Sequence, residues 1–438
     1  MNLIVNGCPM VSGNISVGGD KSITHRCLII GAIGEGKTVV YNYSRADDCF
    51  STLRCLKEMG VEIGIDNKRI VINGRGINGL REPEDILDCG NSGTTMRLLA
   101  GLLAGQEFYS VLTGDESLRN RPMQRIIDPL NLMGARVLGR KGGYAPLSII
   151  GGRLKGIQYK LPIPSAQIKS ALMLAGLYAD KKTVIEEPYP SRDHTERLFG
   201  YFKIRFKREK NRIIVFPGRR FKGRKIVVPN DISSSAFFIV LGILRGEKLI
   251  LRQTGINHFR IGLIEILKSS GGDITLINKR NFGNEPVADI IVKRSDIKPF
   301  SISGPMIPRL IDEIPVLAVL ATQLKGRTVI KDAQELRVKE TDRIRAICNE
   351  LKKFGAEIEE AEDGMIINGP NRLKGAVCES YKDHRIAMAL SIAGLIAKGK
   401  TIIKDVDCIN ISFPGFVDIL KEVCGEEYVR IQDGFKKV

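Results

Sequence analysis

One alternation of polar and apolar positions recurs along the chain: a cluster of Ser, Thr, Asp or Asn, an apolar run at helical spacing, a break, then a β-branched strand. It opens at Asp20 with DKSITHRCLIIGAIGEGKTVVY and at Asn91 with NSGTTMRLLAGLLAG, and returns at Ser165, Ile232, Ile311 and Asp383. Most copies continue into a second helical pattern of mixed polarity and then two strands, as in DCFSTLRCLKEMGVEIGIDNKRIVI from Asp48. The glycine after that second helix reads as a left-handed stop, and the short Asp-Asn-Lys or Glu-Asp-Gly segments read as hairpin turns. The predicted unit is βαβαββ, present six times at intervals of roughly 73 residues.

The first helix of each unit is apolar nearly all round and is predicted to be buried, whereas the second is amphipathic and lies outside it. Three units closing around their inner helices make a domain of about 200 residues, so six make two domains. A boundary is predicted near VPNDIS (228–233), giving one domain over 18–229 and another over 1–17 with 230–438. The opening strand NLIVN precedes the first unit and is predicted to complete the second domain, so that the chain crosses twice.

Charge changes this picture. The 438 residues carry a formal +18, which suits an anionic partner, either nucleic acid or a small phosphorylated or carboxylated substrate. A lysine-rich solvated surface accounts equally well for much of it. Position is more telling: Lys21 and Arg26 flank the first helix entrance, Arg97 lies in the second, Lys169 in the third and Arg385 in the sixth. Arg121 opens RPM, and Lys339 and Arg343 bracket the helix after ELRVK. A cation in a first helical turn opposes the dipole by roughly 0.3–1 kcal/mol. Its recurrence predicts a shared polyanion site, where parallel helices turn their free N–H groups to one face.

The acidic and imidazole groups there each admit two readings. Asp312 and Glu313 at the fifth entrance, and Glu340 between Lys339 and Arg343, are either caps and dipole partners or carboxylates set to take a proton from a substrate hydroxyl. His25 and His384 are expected to be structural, His194 admits either role, and Cys89 is expected to pack rather than react.

Other chemistries find little support. Nine scattered cysteines without C-x-x-C argue against a disulfide framework or zinc site, and four histidines without H-E-x-x-H argue against a metal centre. Neither a P-loop nor a dinucleotide fingerprint is present. The longest apolar stretches, 236–244 and 387–397, fall short of the roughly 18–20 residues that span a bilayer, and no secretory pattern opens the chain, so a cytoplasmic location without membrane contact is expected.

Taken in order, GDKSITHR (19–26), GNSGTTMR (90–97), RPM (121–123), SAQ (165–167), IDEIP (311–315), LRVKETDR (336–343), DHR (383–385) and SFP (412–414) resemble the EPSP synthases, the 3-phosphoshikimate 1-carboxyvinyltransferases, over essentially the whole chain. The resemblance implies an α/β (α+β) fold, a two-domain inside-out α/β barrel of six βαβαββ repeats, three per domain, with the active site in the interdomain cleft. It also implies transfer of the enolpyruvyl group of phosphoenolpyruvate to the 5-hydroxyl of shikimate 3-phosphate through a tetrahedral ketal, with no metal or organic cofactor. Carried onto matching positions, Lys21, Ser22, Arg26, Ser165, Ala166, Gln167, Arg192, Asp312 and Lys339 are implied shikimate 3-phosphate ligands. Lys21, Gly93, Arg121, Gln167, Arg343 and Arg385 are implied phosphoenolpyruvate ligands. Asp312 is implied to take the hydroxyl proton and Glu340, with Lys21, to protonate the methylene carbon.

Several positions depart from the enterobacterial pattern. Gly18-Gly-Asp-Lys replaces Pro-Gly-Ser-Lys, Glu335 and Leu336 replace Asn and Trp, and Ile411 replaces a lysine. With His25 and SRDHT (191–195), these resemble the second class of the family, whose members include glyphosate-tolerant ones; glyphosate is an expected inhibitor, with Gly93 the position where some tolerant members carry alanine. The related transferase acting on UDP-N-acetylglucosamine has Lys-Asn where Lys21-Ser22 stand. A nucleic-acid-binding role is disfavoured by 6% aromatics and no Trp. A monomer is expected.

Overall fold

The computed structural model describes residues 1–432. The polar clusters ahead of the apolar runs are helix caps. The Asp20 carboxylate accepts from the Ile23 amide at 2.9 Å ahead of helix Lys21–Ile33, and Ser92, Ser165, Asp231 and Asp383 do the same for Gly93–Leu103, Ala166–Gly176, Ile232–Arg245 and His384–Ile396. Helix Ile314–Ala321 instead has Pro315 in its first turn, where a missing N–H leaves no intrahelical bond unmade. These helices are apolar all round because they are enclosed: every residue of His384–Ile396 is buried.

A second, amphipathic set buries one face only, among them Asp47–Glu58, Gln124–Leu132 and Arg343–Lys353. Their expected stops are present, since Gly60, Gly134 and Gly355 all lie at positive φ, between 80° and 100°.

Among the described residues, six four-stranded sheets each carry a parallel edge strand beside a strand that pairs antiparallel on its other side. In one, Lys225–Val227 runs parallel to Glu35–Tyr41, which pairs with Arg69–Arg75 in the register Val39↔Val71, and Glu62–Ile65 closes the edge. In another, the opening strand Asn2–Asn6 lies between Lys400–Lys404 and Val429–Gln432.

The described chain divides into two compact units. One comprises 18–229 with 281–285, the other 1–17, 230–280 and 286–432. The short segment 281–285 differs from the expected division, which put all of 230–438 together. It is a hairpin tip that clusters with the first unit, where Glu285 meets His194 Nδ1 at 2.7 Å and Arg197 donates to the Asn284 carbonyl at 2.8 Å. Each unit has its own core, one built around Leu28, Leu99 and Leu172, the other around Phe237, Leu317 and Leu390. In the first, helices Gly93–Leu103 and Ala166–Gly176 meet so closely that a Cβ at Gly101 would lie 2.2 Å from the Ala171 carbonyl oxygen. No helix among the described residues is long and apolar enough to cross a membrane.

Candidate active site

In the first unit the residues of interest gather at the first turns of its three enclosed helices. The chain reaches Lys21 through Gly18, at φ +83°, and Gly19, where a Cβ would sit 1.8 Å from the Asn42 carbonyl oxygen, so both glycines are required by the backbone path. Lys21 does not face the helix dipole alone, because its Nζ lies 2.7 Å from Asp48 Oδ2. Beside it, Ser22 is half-buried. Arg26 is buried and gives Nε to Thr195 at 2.7 Å, Nη1 to the Ser22 carbonyl and Nη2 to Ser170, both at 2.8 Å. Burial, with Arg192 adding and Glu196 opposing, brings its pKa down to about 10.

His25 is a structural group. Its Nδ1 meets Thr52 Oγ1 at 2.7 Å, Thr52 meets Thr95 at 2.7 Å, and Thr95 donates to Ser92 at 2.8 Å, a buried chain that joins three helices. Burial first, then the charges of Lys21 and Arg26, hold its pKa well below the ordinary range and keep the ring neutral.

Further along the same face, Arg97 donates to Gln167 Oε1 at 2.6 Å, and Gln167 donates to Thr94 at 2.9 Å. Arg121 donates to Asn91 Oδ1 at 2.6 Å. A Cβ on Gly93 would meet Arg97 Nη1 at 2.9 Å and Arg121 Nη1 at 3.4 Å, so this glycine lies against both guanidinium groups. Ser165 caps its helix, Ala166 opens it, and Arg192 is half-buried in the loop before helix His194–Phe202.

Lys169 does not join this group, contrary to expectation. It is fully buried, 2.8 Å from Glu196 and 3.2 Å from Glu187, because the fourth position after the cap turns inward here. Cys89 and the other eight cysteines are buried.

The second unit builds its set on one guanidinium. Arg343, 2% exposed, places Nε 2.8 Å from Asp383 Oδ2, Nη2 2.5 Å from Glu340 Oε2 and Nη1 3.5 Å from Asp312 Oδ1. Burial alone would lower its pKa, but the carboxylates of Asp383, Glu340 and Asp312 outweigh that and raise it. Half-buried Lys339 is shifted the other way, by burial and by Arg343, with Asp312 and Glu340 opposing. Arg385 is buried and donates to the Ser233 carbonyl at 3.4 Å. Ser233 also takes a hydrogen bond from Arg260 at 2.7 Å and donates to Glu313, so Glu313 serves the framework. His384 is buried at the start of its helix.

Three partners escaped the sequence. Asp48 looks like an ordinary first-turn acid, Asp383 like an ordinary cap, and Glu187 carries no local signal. Only the fold brings Asp48 to Lys21 and Asp383 to Arg343. In each unit cations stand at or beside helix entrances, and in the second unit three carboxylates, Asp383, Glu340 and Asp312, stand on the same guanidinium. Among the described residues no three His, Cys, Asp or Glu side chains are grouped to hold a metal ion.

Comparison with known proteins supplies the context. The family model for EPSP synthase (3-phosphoshikimate 1-carboxyvinyltransferase) matches residues 5–420. A 3-phosphoshikimate 1-carboxyvinyltransferase of Thermoanaerobacter sp. (strain X514) is 52% identical over 417 residues, covering 95% of this chain and 98% of the relative. One from Citrifermentans bemidjiense is 52% identical over 424 residues, covering 96% and 99%. The solved structure of an EPSP synthase from Acinetobacter baumannii superposes with a TM-score of 0.88 at 42% identity, covering 99% of this chain and 100% of that one.

Proposed function

The chain belongs to the EPSP synthase family, and from that premise we propose that it transfers the enolpyruvyl group of phosphoenolpyruvate to the 5-hydroxyl of shikimate 3-phosphate, releasing phosphate on the route to chorismate and the aromatic amino acids. The observation that carries this reading is the pair of carboxylates, Asp312 and Glu340, held on the buried guanidinium of Arg343. Both substrates carry phosphate and carboxylate groups and repel each other, so lysine and arginine clamps that hold them together lower the barrier by positioning and by charge.

Asp312 accepts the proton of the 5-hydroxyl as that oxygen bonds C2 of phosphoenolpyruvate, while Glu340, with Lys21, delivers a proton to C3. The product of this addition is the tetrahedral ketal. Return of a proton from C3 to Glu340 then expels phosphate from C2, and the proton held by Asp312 leaves with it, so that charge and atoms balance. Lys21, Ser22, Arg26, Ser165, Ala166, Gln167, Arg192, Asp312 and Lys339 bind shikimate 3-phosphate. Lys21, Gly93, Arg121, Gln167, Arg343 and Arg385 bind phosphoenolpyruvate. Arg26 has already given three N–H groups to protein oxygens, so it contacts substrate through those that remain.

The finer architecture belongs to the same reading: the six sheets and their helices are six βαβαββ units, three to a unit of the chain, arranged as an inside-out barrel. The enzyme works as a cytoplasmic monomer, without nucleic acid, and glyphosate competes at the phosphoenolpyruvate position. The test is phosphate release measured with both substrates and with each omitted in turn. Release only with both supports the assignment, and release from either alone overturns it.

A further inference from the structure

The loop that delivers Asp383 to Arg343 holds two consecutive non-glycine residues in the left-handed region, Tyr381 at φ +54° and Lys382 at φ +55°. Single residues visit that region at a cost and a bulky pair in succession is unusual, so something must hold them there. The nearest strong group is Glu350, whose side chain is 0% exposed. It accepts from the Tyr381 hydroxyl at 2.8 Å and from the Glu379 amide at 3.1 Å, and Lys353 Nζ lies 2.8 Å from each of its oxygens. Ser380 donates to the Asp405 carbonyl at 3.0 Å and accepts from the Lys382 amide at 3.1 Å, and its carbonyl accepts from the Asp383 amide at 3.0 Å.

Glu350 and Arg343 share one helix, Arg343–Lys353, about two turns and roughly 10 Å apart along its axis. The helix therefore grips the loop at two points. At its start Arg343 bonds Asp383, and two turns on Glu350 bonds Glu379 and Tyr381. Asp383 in turn accepts from the Arg385 amide at 2.8 Å, so the loop sets both the orientation of Arg343 and the first turn of the helix that carries Arg385. A buried carboxylate is a costly way to fill a helix face, and hydrophobic packing would serve stability as well or better.

We propose that Glu350 is a positioning residue for the transfer reaction: it holds the left-handed loop Ser380–Lys382, and through Asp383 it fixes the geometry of Arg343 and Arg385. This rests on the reading of those two arginines as phosphoenolpyruvate ligands. The test compares Glu350→Gln, Tyr381→Phe and the double variant Glu350→Gln with Lys382→Gly, reading KM for each substrate, kcat, and amide hydrogen exchange over residues 379–385.

Glu350→Gln raises KM for phosphoenolpyruvate about tenfold and leaves that for shikimate 3-phosphate within about twofold. Tyr381→Phe, which removes one hydrogen bond and perturbs folding least, moves the same constant about threefold and carries the test if the first variant does not fold. Adding Lys382→Gly, which adopts the left-handed conformation freely, restores KM for phosphoenolpyruvate to within about threefold of the parent. Amide exchange across the loop rises about tenfold in Glu350→Gln.

Unchanged KM for phosphoenolpyruvate in both single variants overturns the proposal. So does a parallel rise in both KM values that Lys382→Gly does not reverse, or loop exchange equal to the parent's. A parent protein that releases no phosphate from the two substrates would refute the functional reading instead, and loop exchange would still decide whether Glu350 holds the loop.

Discussion

At Arg343 three carboxylates converge on one buried guanidinium, and their roles separate by contact. Asp383 is buried, accepts from Nε at 2.8 Å and Nη2 at 3.4 Å and caps the next helix, which makes it a support, whereas Asp312 and Glu340 are half-buried and meet only the outer nitrogens. Replacing Asp312 by Asn keeps its shape and removes its basicity. The expected result is a fall in kcat of about 10²–10⁴-fold with both KM values within about threefold, read by steady-state kinetics. A rise in KM with kcat intact would make Asp312 a ligand only. Gly93 offers a second test, because an added methyl presses on the ends of Arg97 and Arg121. Gly93→Ala should raise both KM for phosphoenolpyruvate and the glyphosate inhibition constant, and unchanged constants would show that these guanidinium groups do not meet either compound.

Among the elements, helix starts were legible because a Ser, Thr, Asp or Asn directly before an apolar run has one common physical use, to accept from the helix's own amides. The partners of the charged groups were not legible. Lys21 and Asp48 lie 27 residues apart, and Arg343 and Asp383 lie 40 apart, on different helices that only the fold brings together. Lys169 was misplaced for the same reason, since sequence could not tell which face of its helix turns to Glu187 and Glu196. Lys169→Met leaves Glu187 buried without its close cation and should cost roughly 3 kcal/mol in urea unfolding, while kcat/KM of the folded fraction stays within about threefold. A larger kinetic loss would return Lys169 to the site.

The chain from His25 through Thr52 to Thr95 ties three helices and gives stability a pH dependence. The native pKa of His25 lies below its ordinary 6.5, so the unfolded chain takes up a proton that the native ring refuses. Its contribution is complete above that ordinary value and is lost as pH falls toward the native pKa. Going from about pH 7.5 to about pH 5.5 should cost the parent about 1 kcal/mol more than it costs His25→Gln, measured by urea unfolding at both pH values. Equal losses would show that the imidazole titrates normally.

On the scale of the whole molecule, a mixed α/β chain could be read from periodicity, since apolar runs at helical spacing alternate with β-branched strands along its length. The membership of 281–285 could not, because a hairpin tip carries no sign of which core it will join. The +18 formal charge carries no information about place, and position rather than amount marked out the candidate cations. In the proposed addition and elimination at one carbon pair, C3 becomes a methyl group before it returns to a methylene. The most direct measurement is proton NMR and mass spectrometry of the product formed from both substrates in deuterium oxide. The predicted result is an enol ether of shikimate 3-phosphate with deuterium in its methylene, formed one for one with phosphate. A folded protein that yields no enol ether, or an enol ether without deuterium, would contradict it.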